Sequence, residues 1–268
     1  MDRAALDAAY NNSAAVANSA ALMAGYRVRS DALRGGRGTH LDLRYGPDER
    51  NRIDYFAAGS PGPVLAFIHG GYWQMRSKED FAFLAEGPLA HGIHVALVGY
   101  TLAPAKRLTA IVAEVRAAIA WLVGHVAEFG GDAGRIVVSG WSAGGHLTAI
   151  ALADPAVQAG LAISGIYDLE PMRLCYVNDK LALDADEAQR LSPLRNGPTR
   201  AVPLIVAFGG DELPELRRQS EEYATARERA GLPGRLVSLP AHNHFTILEE
   251  LARPSGALTA LVRELVAG

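Results

Sequence analysis

Residues 135–152 read RIVVSGWSAGGHLTAIAL: a β-branched run turns into a helix-forming run across Gly140-Trp141-Ser142-Ala143-Gly144. A serine between two glycines at such a junction fits the sharp strand-to-helix turn called a nucleophile elbow. In that turn a flanking side chain larger than hydrogen would strike neighbouring backbone. The turn also lifts the hydroxyl to a helix N-terminus, where partial positive charge favours a developing anion. The pentapeptide alone would equally suit an ordinary glycine-rich turn. It is the strand before it and the helix after it that carry the functional reading.

The rest of the chain repeats the strand–helix rhythm. THLDLRY (39–45) and NRIDYFAA (51–58) alternate apolar and polar positions, as half-buried strands do, with a turn at Gly46-Pro47-Asp48 between them. PVLAFIHG (63–70) and IHVALVGY (93–100) are continuous apolar runs, as expected of strands covered on both faces. Ile111, Val115, Ile119, Leu122 and Val126 recur every three or four positions and mark one face of a helix within 105–127. Strands at 135–140, 159–165, 203–210 and 235–240 follow, with helices from 143, near 215–230 and at the C-terminus. Two antiparallel-looking strands and then alternating units predict a mostly parallel eight-stranded sheet flanked by helices. Residues 3–26 read as helical, closed off by a loop, RGGRG, at 34–38. The chain reads as a single domain, 1–268, with an N-terminal helical extension (1–36). The Asp-, Arg- and Pro-rich stretch 168–200 breaks the rhythm and reads as a small lid inserted over the sheet edge.

A serine hydroxyl attacks poorly until a base takes its proton. The chain should therefore also supply a histidine, an orienting carboxylate and donors for an oxyanion. HGGYW (69–73) follows an apolar strand, and bare backbone at Gly70 and Gly71 can aim N–H groups at a carbonyl oxygen, together with the N–H of Ala143. His69 reads as a packed imidazole that holds this loop. After the last strand, LPAHNHFTILEEL (239–251) offers His242 and His244; His244 stands immediately before a helix-forming run and is the better-placed base. The carboxylate belongs after the strand at 203–210, where Asp211 and Glu212 compete.

HGGYWQ, GWSAGGHLTA, SGIYDLEPM, DELPELRRQS and NHFTILEEL, with AYNN (9–12) and YTLAP (100–104), together resemble the arylformamidases. These are the serine-dependent kynurenine formamidase group, near the hormone-sensitive-lipase-like esterases. The resemblance spans nearly the whole chain. It implies an α/β-hydrolase fold with a small lid and hydrolysis of an N-formyl arylamine such as N-formyl-L-kynurenine, with broad carboxylesterase activity as the alternative. Laid on the family pattern, the acidic position falls on Glu212, ahead of Pro214 and Glu215. A glutamate there departs from the commoner aspartate, and Trp141 stands where the family's elbow often carries histidine. The implied set is Ser142, His244 and Glu212 for catalysis and Gly70, Gly71 and Ala143 for the oxyanion. Beside the oxyanion loop, Tyr72 and Trp73 could wall an aromatic leaving group or equally pack in the core or under the lid, and the substrate contact is the reading taken for each.

Composition narrows the remaining classes. Charged residues are 21% and the formal net charge is −3, so nothing favours nucleic acid or an anionic membrane as partner. No apolar run approaches the ~20 residues of a membrane span, and the N-terminus lacks the basic start of a secretory signal. The single cysteine, Cys175, forbids an internal disulfide; it suits a cytoplasmic location and reads as a packed side chain. No cofactor is required, and the expected partner is a small-molecule substrate; a homodimer is compatible with the composition without being demanded by it. GTHLD (38–42) lacks a second histidine at metal-ligand spacing, and GGRG (35–38) lacks the Lys-Ser/Thr of a phosphate loop. Asp184, Asp186 and Glu187 read as a solvated surface of the lid.

Overall fold

The computed structural model describes residues 1–37, 40–197 and 200–268. Eight strands, β1 (His40–Arg44), β2 (Arg52–Phe56), β3 (Gly62–Ile68), β4 (His94–Val98), β5 (Gly131–Trp141), β6 (Val157–Ile163), β7 (Leu204–Gly209) and β8 (Gly234–Leu239), form one sheet. Their order is β1-β2-β4-β3-β5-β6-β7-β8. β1–β2 and β2–β4 pair antiparallel, and every later pair is parallel. This is the α/β-hydrolase fold anticipated above.

The side-chain period of two sorts each central strand between two cores. Val64, Ala66 and Ile68 of β3 face Ile111, Val115 and Ile119 of the helix Leu108–His125, together with Leu147 of the helix Ala143–Ala151. Leu65 and Phe67 face the other side, with Met23, Tyr26, Phe81, Leu258 and Val262. With both faces covered, every residue of β3, β4 and β7 is buried. The segment Leu108–Phe129 is long and apolar enough, by length and composition, to cross a membrane. That corrects the expectation that no segment comes near such a span; here its apolar face lies on the sheet.

The N-terminus differs from the single helix and loop expected. It breaks into Arg3–Ala9, Asn12–Ala15 and Ser19–Arg37. Asn11 causes the first break: its side chain accepts a hydrogen bond from the Ala14 N–H and caps a new turn, the local competition that asparagine offers a helix. The expected loop at 34–38 is helical through Arg37, despite Gly35 and Gly36, and Gly38 lies outside the described residues. Arg34 explains the persistence, because its Nε donates to the buried Asp54 carboxylate at 2.8 Å and anchors the helix end.

Between β6 and β7 the chain forms short helices at Glu170–Leu174, Asn178–Leu181 and Ala185–Arg190. Met172, Cys175, Val177, Leu181, Leu183 and Ala188 sink into the core. Pro198 and Thr199 of this stretch lie outside the described residues. Asp184 and Asp186 are exposed, but Glu187 is not the solvated side chain expected. It is buried, accepting from the Thr109 N–H and hydroxyl at 2.8 and 2.6 Å and from Arg107 at 2.7 Å. It thus pins the insertion to the first turn of the helix Leu108–His125, where a carboxylate is electrostatically favoured.

Candidate active site

The elbow rises from the end of β5. Ser142 sits at φ 58°, ψ −118°, a strained conformation for a residue with a side chain, and its N–H donates to Ile163 O on β6 at 2.8 Å. The flanking glycines are sterically required. A Cβ on Gly144 would run into the Ile68 carbonyl, and one on Gly140 into the Gly144 carbonyl. Trp141, between them, does more than pack: its Nε1 donates to the His244 carbonyl at 2.7 Å and its ring lies 4.8 Å from the His244 ring.

His244 Nδ1 donates to Glu212 Oε2 at 3.0 Å. The other carboxylate oxygen, Oε1, accepts from Ser164 Oγ and the Gly209 N–H, both at 2.6 Å. Glu212 is buried, while the competing Asp211 is exposed. His242, the second histidine of the loop, lies 3.5 Å from Glu250 and away from this constellation. The backbone from His244 to Thr246 is held at three points. Trp141 takes the His244 carbonyl, Tyr26 Oη donates to Phe245 O at 3.2 Å, and Asn243 Oδ1 accepts from the Phe245 and Thr246 N–H groups.

Ser142 and His244 are each 2% exposed. Ser142 Oγ and His244 Nε2 make no hydrogen bond to each other here, nor to any other described residue, and neither is a fully enclosed orphan atom. Each therefore keeps an opening to solvent. Nucleophile–base bonds are commonly long without substrate and tighten when it binds.

Gly70 and Gly71 leave β3 directly against the elbow. A Cβ on Gly70 would fall 2.6 Å from the Trp141 ring and 3.0 Å from Ser142 Cβ; Gly71 has φ +110°, and a Cβ there would strike the Met75 carbonyl. Neither glycine's N–H has an acceptor among the described residues, and Ala143, as the first residue of its helix, has no intrahelical acceptor either. Three unpaired N–H donors thus flank Ser142. His69 holds the loop, its Nδ1 donating to Gly70 O at 2.8 Å while its ring stacks on Tyr100 at 4.2 Å. Because the Gly70–Gly71 peptide is trans, pinning the Gly70 carbonyl turns the Gly71 N–H the opposite way. Burial pushes the His69 imidazole down to about 3, so it stays neutral.

The two aromatic residues after the glycines behave differently from the substrate wall expected. Trp73 is 0% exposed, with its ring edge-on to His146 at 5.0 Å, and offers a ligand no surface. Its role in this structure is packing. Tyr72 is 9% exposed, and its hydroxyl is engaged by the N-terminal segment. Ser164, Asn243 and the tether from Trp141 escaped the sequence reading. Only the Asn-x-x-Thr spacing at 243–246 carried any local signal, that of a turn cap.

The fold and this site define an α/β-hydrolase. The BD-FAE family model matches residues 56–207. The chain is 32% identical over 244 residues to the kynurenine formamidase of Danio rerio, covering 85% of this chain and 82% of that protein. Esterase LipQ of Mycobacterium tuberculosis is 34% identical over 227 residues, covering 71% of this chain and 53% of that protein. A solved structure from Silicibacter sp., provisionally named a thioesterase, superposes with a TM-score of 0.85 at 30% identity, over 96% of this chain and 98% of that one. The chain belongs to the BD-FAE family, and it is a hydrolase of the formamidase and esterase class.

Proposed function

We propose that the chain is a serine-dependent arylformamidase acting on an N-formyl arylamine of the N-formyl-L-kynurenine type. Ser142 Oγ attacks the formyl carbon while His244 Nε2 takes the hydroxyl proton. Glu212, through Nδ1, keeps the imidazole in the tautomer with a free Nε2 and stabilises the imidazolium. The N–H groups of Gly70, Gly71 and Ala143 receive the oxyanion, and each such donor contributes about 2.7–4 kcal/mol to transition-state stabilisation. His244 then protonates the departing nitrogen, the C–N bond breaks, and the free amine leaves a formyl ester on Ser142. Water, activated by the same imidazole, discharges formate.

The observation that carries this reading is the Glu212–His244 hydrogen bond beside a serine on a strained elbow. Support for a formamide comes from the Danio rerio relative. The test compares kcat/KM on N-formyl-L-kynurenine and on p-nitrophenyl acetate. Efficient turnover of the formamide supports the proposal; rapid ester hydrolysis with the formamide untouched defeats it. That second outcome would favour the esterase reading, which the likeness to LipQ supports.

A further inference from the structure

The oxyanion loop holds a conformation that its own sequence does not favour. Tyr72 and Trp73, at φ 50° and 59°, follow Gly71 in the left-handed region, and Arg76 at 73° joins them. Such residues persist only where their surroundings over-determine them. Part of the restraint is local: Trp73 O accepts from the Ala103 N–H at 2.8 Å, and Gly71 O from the Gln74 and Met75 N–H groups. The rest comes from the far end of the chain. Tyr72 Oη donates to Tyr10 O at 2.5 Å and accepts from Asn12 Nδ2 at 3.1 Å. Tyr10 is itself fastened, because its hydroxyl donates to Glu215 Oε2 at 3.2 Å and accepts from Gln219 Nε2 at 2.9 Å. Glu215 and Gln219 lie on the helix Pro214–Arg229, which begins two residues after Glu212. Tyr176 Oη, from the insertion, donates to the same Tyr10 carbonyl at 3.3 Å.

We propose that Tyr10–Asn12 is a working part of the active site: a clamp that holds Tyr72, and through it the Gly70-Gly71 donors, in the geometry that receives an oxyanion. Asn12 and Tyr72 are then positioning residues, and the N-terminal segment bridges the oxyanion loop and the helix that follows Glu212, the carboxylate that orients the base. The inference rests on the assignment of Gly70 and Gly71 as oxyanion donors.

The clamp acts on a group that meets charge only in the transition state, so its loss lowers kcat and leaves KM alone. Asn12→Leu removes one bond to Tyr72 at similar volume, and Tyr72→Phe removes both. With complete loss of a donor costing roughly 10²–10³-fold, loosening the loop should cost on the order of tenfold in kcat for Tyr72→Phe and less for Asn12→Leu. Because Asn12 acts through the Tyr72 hydroxyl, Asn12→Leu should add nothing in the Tyr72→Phe background. Arg3→Ala, which cuts the ion pair from the N-terminal helix to Asp179, should leave kcat unchanged. Circular dichroism and melting of each variant separate a loosened loop from a lost fold. With Ser142→Ala assayed alongside, unchanged kcat in folded Asn12→Leu and Tyr72→Phe overturns the clamp alone. A rise in KM at constant kcat also overturns it, by making Tyr72 a substrate contact. Activity retained in Ser142→Ala overturns the clamp together with the site it serves.

Discussion

Glu212 reaches His244 Nδ1 at 3.0 Å with one carboxylate oxygen and occupies the other with Ser164 and a backbone N–H, while Asp211, one residue earlier, faces solvent. Neutralising the two acids should therefore have unequal effects. Glu212→Gln should lower kcat by about 10³–10⁴, the scale set when an orienting carboxylate is replaced by an amide that favours the wrong tautomer. Asp211→Asn should stay within about twofold, as exposed substitutions away from special features usually do. Initial rates on one substrate decide it, and the reverse ranking would reassign the acid.

Ser164 lies at the end of β6 in a left-handed conformation, φ 52°, that aims its buried hydroxyl at Glu212. Ser164→Ala leaves Oε1 with the Gly209 N–H alone. A buried carboxylate deprived of a donor is less well satisfied and holds its imidazole partner in place less firmly. Initial rates at neutral pH should show a several-fold loss of kcat. An unchanged kcat in folded Ser164→Ala would reduce Ser164 to a packing residue.

Two glycine replacements should act in opposite directions. Gly144→Ala drives a Cβ into the Ile68 carbonyl, so the elbow must distort and the melting temperature should fall with activity. Gly25, inside the helix Ser19–Arg37, has open space where a Cβ would go. Gly25→Ala should raise stability by about 0.8–1 kcal/mol through helix propensity alone. Thermal melts at neutral pH check both.

Two buried histidines set a pH window for stability. Burial lowers His146 to about 4 and His69 to about 3, whereas in the unfolded chain each takes a proton near pH 6.5. Below pH 6.5 the unfolded state therefore binds protons that the folded state refuses, and stability falls as pH falls. The loss accumulates at about 1.4 kcal/mol per histidine per pH unit until the folded value is reached. Melting temperature should drop between pH 6.5 and 4, and both imidazole resonances should keep neutral-form shifts at pH 5. An imidazolium signal from either at that pH would contradict the account.

How much of this was legible in sequence follows from how local each cause is. The central strands were visible because cover on both faces leaves apolar runs, the first two because apolar and polar positions alternate, and the elbow because its glycines answer a steric demand within five residues. Glu212 and His244 could be named as candidates, but their meeting is long-range and only the fold displays it. What escaped has partners far away in the chain. Glu187 looked solvated until Thr109 and Arg107 supplied its donors, and Gly35-Gly36 looked like a loop until Arg34 found Asp54. Trp73 looked like a substrate wall, yet the fold closes completely around it.

The most direct test is intact mass analysis after exposure to a fluorophosphonate probe, with peptide mapping of the adduct. One equivalent should attach, on the oxygen of residue 142, with no labelling of Ser142→Ala and far slower labelling of His244→Ala. Folded wild-type protein that stays unlabelled, or labelling that survives in Ser142→Ala, would contradict an activated nucleophile at that position.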